Sequence, residues 1–129
     1  MTQEDKQLLL IDLCARLPYM PKIKITYQQQ GIKGTDEGRV SCDFIEKIVN
    51  DLRNGVITDM QIYLRPMSSM TEEEYRELEG LLQKHNFSLN EETASIEIDW
   101  LNAHHFDYRG LIEKDLVIAV TEENNPYKE

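Results

Sequence analysis

Apolar residues recur along this chain with two different periods, which predict an alternation of helices and strands. Thr2 and Asp5 are spaced as a capping box, and the apolar positions that follow keep a near-helical spacing up to Leu17, where Pro18 ends the element. Residues 22–28 (KIKITYQ) then alternate strictly between polar and apolar. This alternation predicts a half-buried strand of an antiparallel sheet.

Glycine and polar residues dominate the next ten positions. Three glycines, Gly31, Gly34 and Gly38, predict a turn or loop over 28–38 that leads into a returning strand at 39–42 (RVSC). We reject a phosphate-binding loop here, because the GxxxxGK[ST] and GxGxxG spacings are absent and no helix follows directly.

A second helical stripe covers 44–52 and is expected to stop at Gly55. Residues 56–64 (VITDMQIYL) predict the next strand, which Pro66 closes.

The sequence 70–74 (MTEEE) is the clearest local signal in the chain. Thr71 and Glu74 are spaced as a capping box, while Glu72 and Glu73 stand where the helix dipole favours negative charge. We expect a helix from this cap to about residue 84. Its buried stripe is expected to contain Tyr75, Leu78, Leu81 and Leu82.

The segment 90–105 fits both periods. Residues 94–100 (ASIEIDW) alternate as a strand would, but the apolar residues also line a helical stripe. Asn90 could cap such a helix, and Glu91 and Glu92 suit its first turn, so the helix is the favoured interpretation.

Asp107 is a natural cap for a second short helix over 108–114 (YRGLIEK). It is expected to accept hydrogen bonds from the backbone amides of Arg109 or Gly110. Asp115 stands where glycine would be the easier helix stop, and 116–120 (LVIAV) predict a final strand.

These elements predict an α+β fold, with a small, mainly antiparallel sheet of three to four strands packed with four to five helices. The chain has 129 residues and no internal repeat or long linker. A single domain spanning 1–129 is therefore expected.

The charge is unevenly distributed. The net charge is −10; residues 1–66 carry nine basic and nine acidic residues, whereas 67–129 carry five basic and fifteen acidic residues. Such a surface repels phosphate backbones, so direct binding of nucleic acid is not expected, whereas a basic protein partner is easier to accommodate. Glu72, Glu73 and Glu77 are the candidate partner-binding residues.

Other classes of protein are excluded by composition. The longest apolar run, 8–11 (LLLI), is too short to cross a bilayer, and the first ten residues carry acids where a secretory signal needs positive charge. We therefore expect a cytoplasmic protein without membrane contact. Cys14, in a predicted helix, and Cys42, in a predicted strand, are expected to be buried, reduced thiols.

The densest candidate chemistry lies in 99–110 (DWLNAHHFDYRG). The candidate functional cluster is His104, His105, Asp107, Arg109 and Arg65. Adjacent histidines on a helix point about 100° apart, unlike the i, i+4 histidines of a zinc site, so no metal or other cofactor is expected and no catalytic residue is assigned. The favoured interpretation is a bend between two helices, with Phe106 filling the bend.

Two chemical alternatives stay open for this cluster. His104 could act as a general acid or base oriented by Asp107, or one histidine could bind a metal together with Asp107 or His85. Arg65 and Arg109 are expected to pair with the many acids of the domain rather than with a substrate phosphate.

Two strings in the chain, YLRPMSSMTEEE (63–74) and DWLNAHHFDYRGLIEK (99–114), resemble those of a family of small uncharacterised proteins from gut anaerobes of the Bacteroides type and from their phages and prophages. Together they cover about a fifth of the chain. Where this chain has Asp115, members of that family often have glycine. The resemblance implies a small accessory protein encoded on a mobile element, and it carries over no catalytic residue.

The leading functional hypothesis is a non-enzymatic accessory protein that binds another protein through the helix bend or the acidic second half. One alternative is a metal-dependent or acid/base hydrolase that uses His104, His105 and Asp107. Another is an acidic DNA mimic. A helix-turn-helix around Phe106 suits the predicted topology but not the charge.

Overall fold

The computed structural model describes residues 2–84 and 91–127, with the side chains of Glu91 and Glu92 left out of the description. Over these residues the chain forms four α-helices and a four-stranded mixed sheet, so the predicted α+β class is confirmed. The helices are α1 (Gln3–Arg16), α2 (Ile45–Arg53), α3 (Glu72–Lys84) and α4 (Glu91–Ala103). The strands are β1 (Lys22–Gln29), β2 (Ile32–Arg39), β3 (Ile57–Leu64) and β4 (Ile118–Ala119).

The sheet has the order β2-β1-β3-β4. The interior strand β1 is antiparallel to both of its neighbours, while β4 is parallel to β3. Parallel neighbours need a long crossover connection, and α3 and α4 supply it as a helical hairpin between β3 and β4. This hairpin and the loop that follows it contain all the candidate site residues except Arg65.

The β1–β2 connection differs from the prediction. Gln30 and Gly31, with φ of 52° and 80°, form a two-residue turn of the type that matches strand twist, and β2 begins at once. The predicted turn and returning strand are present, but their predicted bounds, 28–38 and 39–42, are wrong. Glycine is accommodated in β2 because the Tyr27 ring covers Gly34, where a Cβ would lie 2.5 Å from the tyrosine hydroxyl oxygen.

The interior consists of two apolar clusters. The larger one joins α1, α2 and the sheet to the segment 111–117, and its fully buried members include Leu9, Leu13, Ile62, Leu64 and Leu111. The smaller one joins α3 and α4 through Leu78, Trp100, Leu101 and Phe106. Phe106 is fully buried, as expected of the residue that fills the bend.

Both predicted capping boxes are present. Thr2 Oγ1 accepts from the amide of Asp5 at 3.0 Å, and the Asp5 carboxylate accepts from the amide of Thr2 at 3.2 Å. At the start of α3, Thr71 Oγ1 accepts from the Glu74 amide at 3.1 Å, and the Glu74 carboxylate accepts from the Thr71 amide at 3.0 Å. Asn90, the predicted cap of α4, and His85 lie outside the described residues.

Three expected burials are wrong. Tyr75 is 59% exposed, although it belongs to the predicted apolar stripe of α3. Cys14 and Cys42 are both exposed. Cys14 lies on the solvent side of α1, and Cys42 opens a turn of 3-10 helix before α2 rather than lying in a strand. Among the helices of the described ranges, none is long and apolar enough to cross a bilayer.

Candidate functional site

Helix α4 ends in a tight left-handed turn that contains both histidines. The amide of His105 donates to the carbonyl of Asn102 at 3.1 Å, and the amide of Phe106 donates to the carbonyl of Leu101 at 3.0 Å. These two bonds define a Schellman motif, in which the residue at the left-handed position is usually glycine. His105 occupies that position with φ of 63°. We call residues 105–107 the corner.

Backbone hydrogen bonds attach the corner to the end of β3. The amide of Arg65 donates to the carbonyl of His105 at 2.7 Å, and the amide of Asp107 donates to the carbonyl of Arg65 at 2.9 Å. The pair forms an isolated parallel bridge between Arg65 and Phe106. These bonds to the sheet therefore fix the position of the C-terminal end of α4 and of the segment that follows it.

Asp107 closes the next turn, although not at the predicted amides. Its two carboxylate oxygens accept from the amides of Leu111 at 3.0 Å and Ile112 at 2.9 Å, so the expected bonds to Arg109 or Gly110 are wrong. Gly110, with φ of 73°, bends the backbone before a helix can start.

The predicted helix over 108–114 is replaced by a single turn over 111–115. This turn ends at Asp115, which has φ of 63°. The amide of Asp115 donates to the carbonyl of Ile112 at 3.0 Å, and that of Leu116 donates to Leu111 at 3.2 Å. The expectation that glycine would suit this position better is in line with that backbone. The final strand is shorter than predicted and keeps only Ile118–Ala119.

On one side of the corner, Arg65 binds the carboxylate of Glu74. Its two terminal nitrogens donate to the two carboxylate oxygens, both at 2.7 Å, and its guanidinium lies 4.2 Å from the centre of the Phe106 ring. The hydrogen bonds from Arg65 lower the pKa of Glu74 from 4.5 to about 2, with a further contribution from Thr71. Glu74 therefore stays ionised over the physiological pH range.

His104 faces the same helix rather than Asp107. Its Nδ1 lies 3.5 Å from Glu74 Oε2, and its Nε2 lies 3.8 Å from Glu77 Oε1. The imidazole packs on Trp100 with ring centres 4.1 Å apart, and the Trp100 indole donates to Glu77 at 3.2 Å. Glu72, Glu73 and Glu77 are all exposed, but Glu77 also contacts α4, whereas Glu72 pairs with Arg76 within α3.

His105 points into a different environment. It is 6% exposed and stacks on Tyr127 with ring centres 3.5 Å apart. The Tyr127 hydroxyl accepts from the Lys22 amide at 2.8 Å and donates to the Tyr63 carbonyl at 2.7 Å. Burial lowers the pKa of His105 to about 3 and raises the pKa of Tyr127 to about 12, so both rings are neutral near pH 7.

Arg109 pairs with an acid, as expected, but in a third cluster whose other members, Asp12 and Arg16, were not predicted. Its Nη1 donates to Asp12 Oδ1 at 2.7 Å. Asp12 is fully buried and also accepts two bonds from Arg16, at 2.8 and 3.1 Å. Arg16 is fully buried as well, and it donates to the carbonyl of Phe106 at 2.6 Å.

One pattern in the sequence points to this cluster. Asp12 and Arg16 are four residues apart and share the helix face defined by Leu9 and Leu13. Opposite charges on an apolar stripe indicate a buried ion pair.

The structure thus distributes the five candidates over separate contacts. The backbone of Arg65 bonds to His105 and Asp107, but among the side chains only those of Arg65 and His104 share a partner, Glu74; the side chains of His105, Asp107 and Arg109 each have other partners. Within residues 2–84 and 91–127, no group of three or more His, Cys, Asp or Glu is arranged to hold a metal ion.

Comparisons of the chain with known protein families, with curated proteins and with solved structures found no match.

Proposed function

We propose that this chain is a cytoplasmic accessory protein, encoded on a phage or another mobile element, that acts by binding a basic protein partner. The proposed contact surface is the outer side of α3 and α4. The observation that carries the proposal is its charge: residues 71–103 contain nine acidic and two basic residues. Acidic contacts of this kind mainly raise the association rate constant and select partners of opposite charge.

Exposed apolar side chains among the acids support the same surface. Tyr75 is 59% exposed on α3 and Ile98 is 44% exposed on α4. Tyrosine is a frequent anchor in protein interfaces, because it offers a large contact area with few rotatable bonds. A shallow depression of about 420 Å³ surrounds this tyrosine, and its lining includes Met70, Glu72, Arg76 and Glu79.

Side-chain contacts close to the corner fix the positions of the two helices. Arg65 ties Glu74 of α3 to the end of β3, while Trp100 of α4 donates to Glu77 of α3. These contacts hold α3 and α4 together and anchor them to the sheet. A surface that is already ordered loses less conformational entropy on binding.

The test is affinity capture of tagged full-length protein from a lysate of its host at low and high salt. We expect a partner that binds at about 50 mM salt and is released at about 500 mM, because the Debye length shrinks between these values. The double variant Glu72→Lys/Glu73→Lys should lose the partner, and Tyr75→Ala should weaken capture without changing the net charge.

Glu122 and Glu123 provide a matched control, because they are also adjacent, exposed glutamates. The control variant Glu122→Lys/Glu123→Lys should retain the partner. Equal capture by both double variants would show that the α3–α4 surface is not the binding surface. If the captured protein binds nucleic acid, displacement by added duplex DNA would favour the DNA-mimic version of the proposal.

The rival proposal is acid/base hydrolysis at His104, which directly precedes the corner. Its support is that the His104 side chain is 31% exposed and has a carboxylate 3.5 Å away. The low pKa of Glu74 makes that carboxylate a weak base, however, because Arg65 stabilises its ionised form. Hydrolysis of a model ester that is lost in His104→Gln but kept in Glu72→Lys/Glu73→Lys would favour the enzyme over the binding protein.

A further inference from the structure

Strand β2 forms an edge of the sheet. Among the described strands it pairs only with β1, and most of its residues are exposed. An edge strand presents unpaired backbone groups to a further strand unless they are covered. The question is which strand fits this edge.

The hydrogen-bond pattern shows which backbone groups of β2 point outward. The Val40 amide donates to the Pro21 carbonyl at 2.9 Å, directly beyond the paired Lys22 and Arg39. Bonded and non-bonded pairs alternate along an antiparallel ladder. Even-numbered residues of β2 therefore bond to β1, and the odd-numbered Lys33, Thr35 and Glu37 direct their backbone groups to the free edge.

This alternation limits how two copies of β2 can pair. Around a two-fold axis the strands run antiparallel, and odd-numbered residues must face odd-numbered ones to exchange hydrogen bonds. With the axis at Thr35, Lys33 of each copy faces Glu37 of the other, and roughly six backbone hydrogen bonds form. Opposite charges that face each other directly stabilise a strand pair.

The neighbouring registers lack this complementarity. An axis at Asp36 places that carboxylate against itself and brings Lys33 opposite Arg39. An axis at Glu37 again places a carboxylate against itself. Like charges directly opposite destabilise a strand pair, so the charges select the register centred on Thr35.

The other face of β2 offers an apolar contact in the same register. Ile32 is 66% exposed and would face Gly38 of the second copy. Gly38 borders a groove of about 320 Å³ between β2 and α2, whose lining includes Ile23, Phe44 and Ile48. A Cβ on Gly38 would meet only open space, so a side chain from a second copy can enter there.

We infer that two copies of this chain associate through their β2 edges, antiparallel about an axis at Thr35, and form one continuous sheet of eight strands. Each copy would insert Ile32 into the groove beside α2 of the other. The surface proposed for partner binding belongs to the β3–β4 crossover, away from the β2 edge. Self-association and partner binding can therefore be tested separately.

The test is sedimentation equilibrium of the full chain and of charge variants. We expect a monomer–dimer equilibrium for the natural sequence, and a dissociation constant raised at least about tenfold in Lys33→Glu and in Glu37→Lys, where two attractive pairs become repulsive. Lys33→Glu is the cleaner variant, because Glu37→Lys also removes the contacts of Glu37 with Tyr63 and Lys22 of its own chain. Ile32→Ser should weaken the dimer by removing the groove contact. Lys114→Glu, an equal charge change at an exposed residue outside the strand, should leave the dimer intact.

Mixing the two charge variants gives the sharpest readout. In a pair of one Lys33→Glu chain and one Glu37→Lys chain, both facing pairs become attractive again. An equimolar mixture should therefore form a tighter dimer than either variant forms alone. A natural chain that stays monomeric up to about 500 μM, or a dimer that is indifferent to Lys33→Glu, would overturn the inference.

A cross-link tests the register independently of charge. Residues that face each other in a bonded antiparallel pair have Cα atoms about 5.5 Å apart, within the range of a disulfide. In a chain with Cys14→Ser and Cys42→Ser, the variant Thr35→Cys should form a covalent dimer on mild oxidation, while Ser95→Cys on the exposed side of α4 should not. Equal cross-linking of the two would contradict the register.

Discussion

Two arginines hold the same corner from different environments. Arg16 donates to the Phe106 carbonyl, and Arg65 lies over the Phe106 ring. Arg16 and its partner Asp12 are fully buried, whereas the side chains of Arg65 and Glu74 are 18% and 17% exposed. Each arginine binds both oxygens of its carboxylate through two nitrogens. Water reaches part of the Arg65–Glu74 pair but none of the Arg16–Asp12 pair.

This difference predicts unequal roles. When one member of a buried pair is removed, the other charge is left without solvent, and the loss exceeds the net value of the pair. When one member of a partly exposed pair is removed, water hydrates the remaining charge, so the loss of stability is smaller. We therefore expect the Arg16 cluster to carry stability, and the Arg65 cluster to orient α3 with a smaller effect on folding.

The largest expected effect comes from Arg16→Met. It should lower the free energy of unfolding by about 3–5 kcal/mol, because Asp12 would keep only the bond from Arg109. Arg65→Met should cost about 1–2 kcal/mol. Urea unfolding followed by circular dichroism measures both.

The exposed Arg53, in the last turn of α2, is the matched control, and Arg53→Met should change stability by no more than about 0.5 kcal/mol. Equal losses for Arg16→Met and Arg65→Met would remove the distinction between the two clusters.

A second test concerns the carboxylate that follows the corner. Asp107→Ala should cost about 2–3 kcal/mol, because it leaves the buried amide of Leu111 and the partly buried amide of Ile112 without acceptors. Asp107→Asn keeps one oxygen and should cost less. Asp43→Ala, at an exposed acid, is the control in the same unfolding assay. A loss for Asp107→Ala no larger than for the control would show that the cap does not stabilise this turn.

The sequence predicted contacts that depend on near neighbours. The capping boxes at Thr2 and Thr71 join residues three apart, and the helical stripe of α4 decided between helix and strand. Asp107 was expected to cap a short helix over 108–114, and it instead caps a single turn through different amides. Local spacing determines these features, so they can be read without the fold.

Other features depend on residues far apart in the chain. Arg16 and Phe106 are ninety residues apart, and Tyr127 reaches His105 only because the C-terminal segment passes the start of β1. The β2 strand escaped prediction because Gly34 is covered by Tyr27 across the hairpin. Such contacts require the sheet order, which periodicity alone does not determine.

Lowering the pH should separate the contribution of His105 to stability from that of Glu74. His105 has a pKa of about 3 in the folded chain against 6.5 when unfolded, so the unfolded state binds its proton first. Its contribution to stability is complete above pH 6.5 and is lost between pH 6.5 and 3, at no more than about 1.4 kcal/mol per pH unit. The pKa of Glu74, lowered from 4.5 to about 2, gives a loss that begins only below pH 4.5.

Two variants show which residue causes the loss of stability in each pH range. In His105→Asn, which keeps a residue that tolerates the left-handed turn, the pH dependence between 6.5 and 4.5 should flatten. In Glu74→Gln it should flatten only below pH 4.5. Unfolding free energies measured at half-unit steps of pH distinguish the two curves. An unchanged slope above pH 4.5 in His105→Asn would mean that His105 titrates normally.

The smallest expected effect compares the two left-handed turn residues on either side of Asp107. Asp115 and His105 have the same φ of 63°, but Asp115 is exposed while His105 stacks on Tyr127. Asp115→Gly should stabilise the chain by about 0.5–1 kcal/mol, because glycine adopts positive φ without steric cost. His105→Gly gains the same relief but loses the aromatic stack, so a net loss is expected. Asp115→Ala is the control, since it removes the carboxylate and keeps the strain. A gain in Asp115→Ala equal to that in Asp115→Gly would attribute the effect to charge rather than to the backbone.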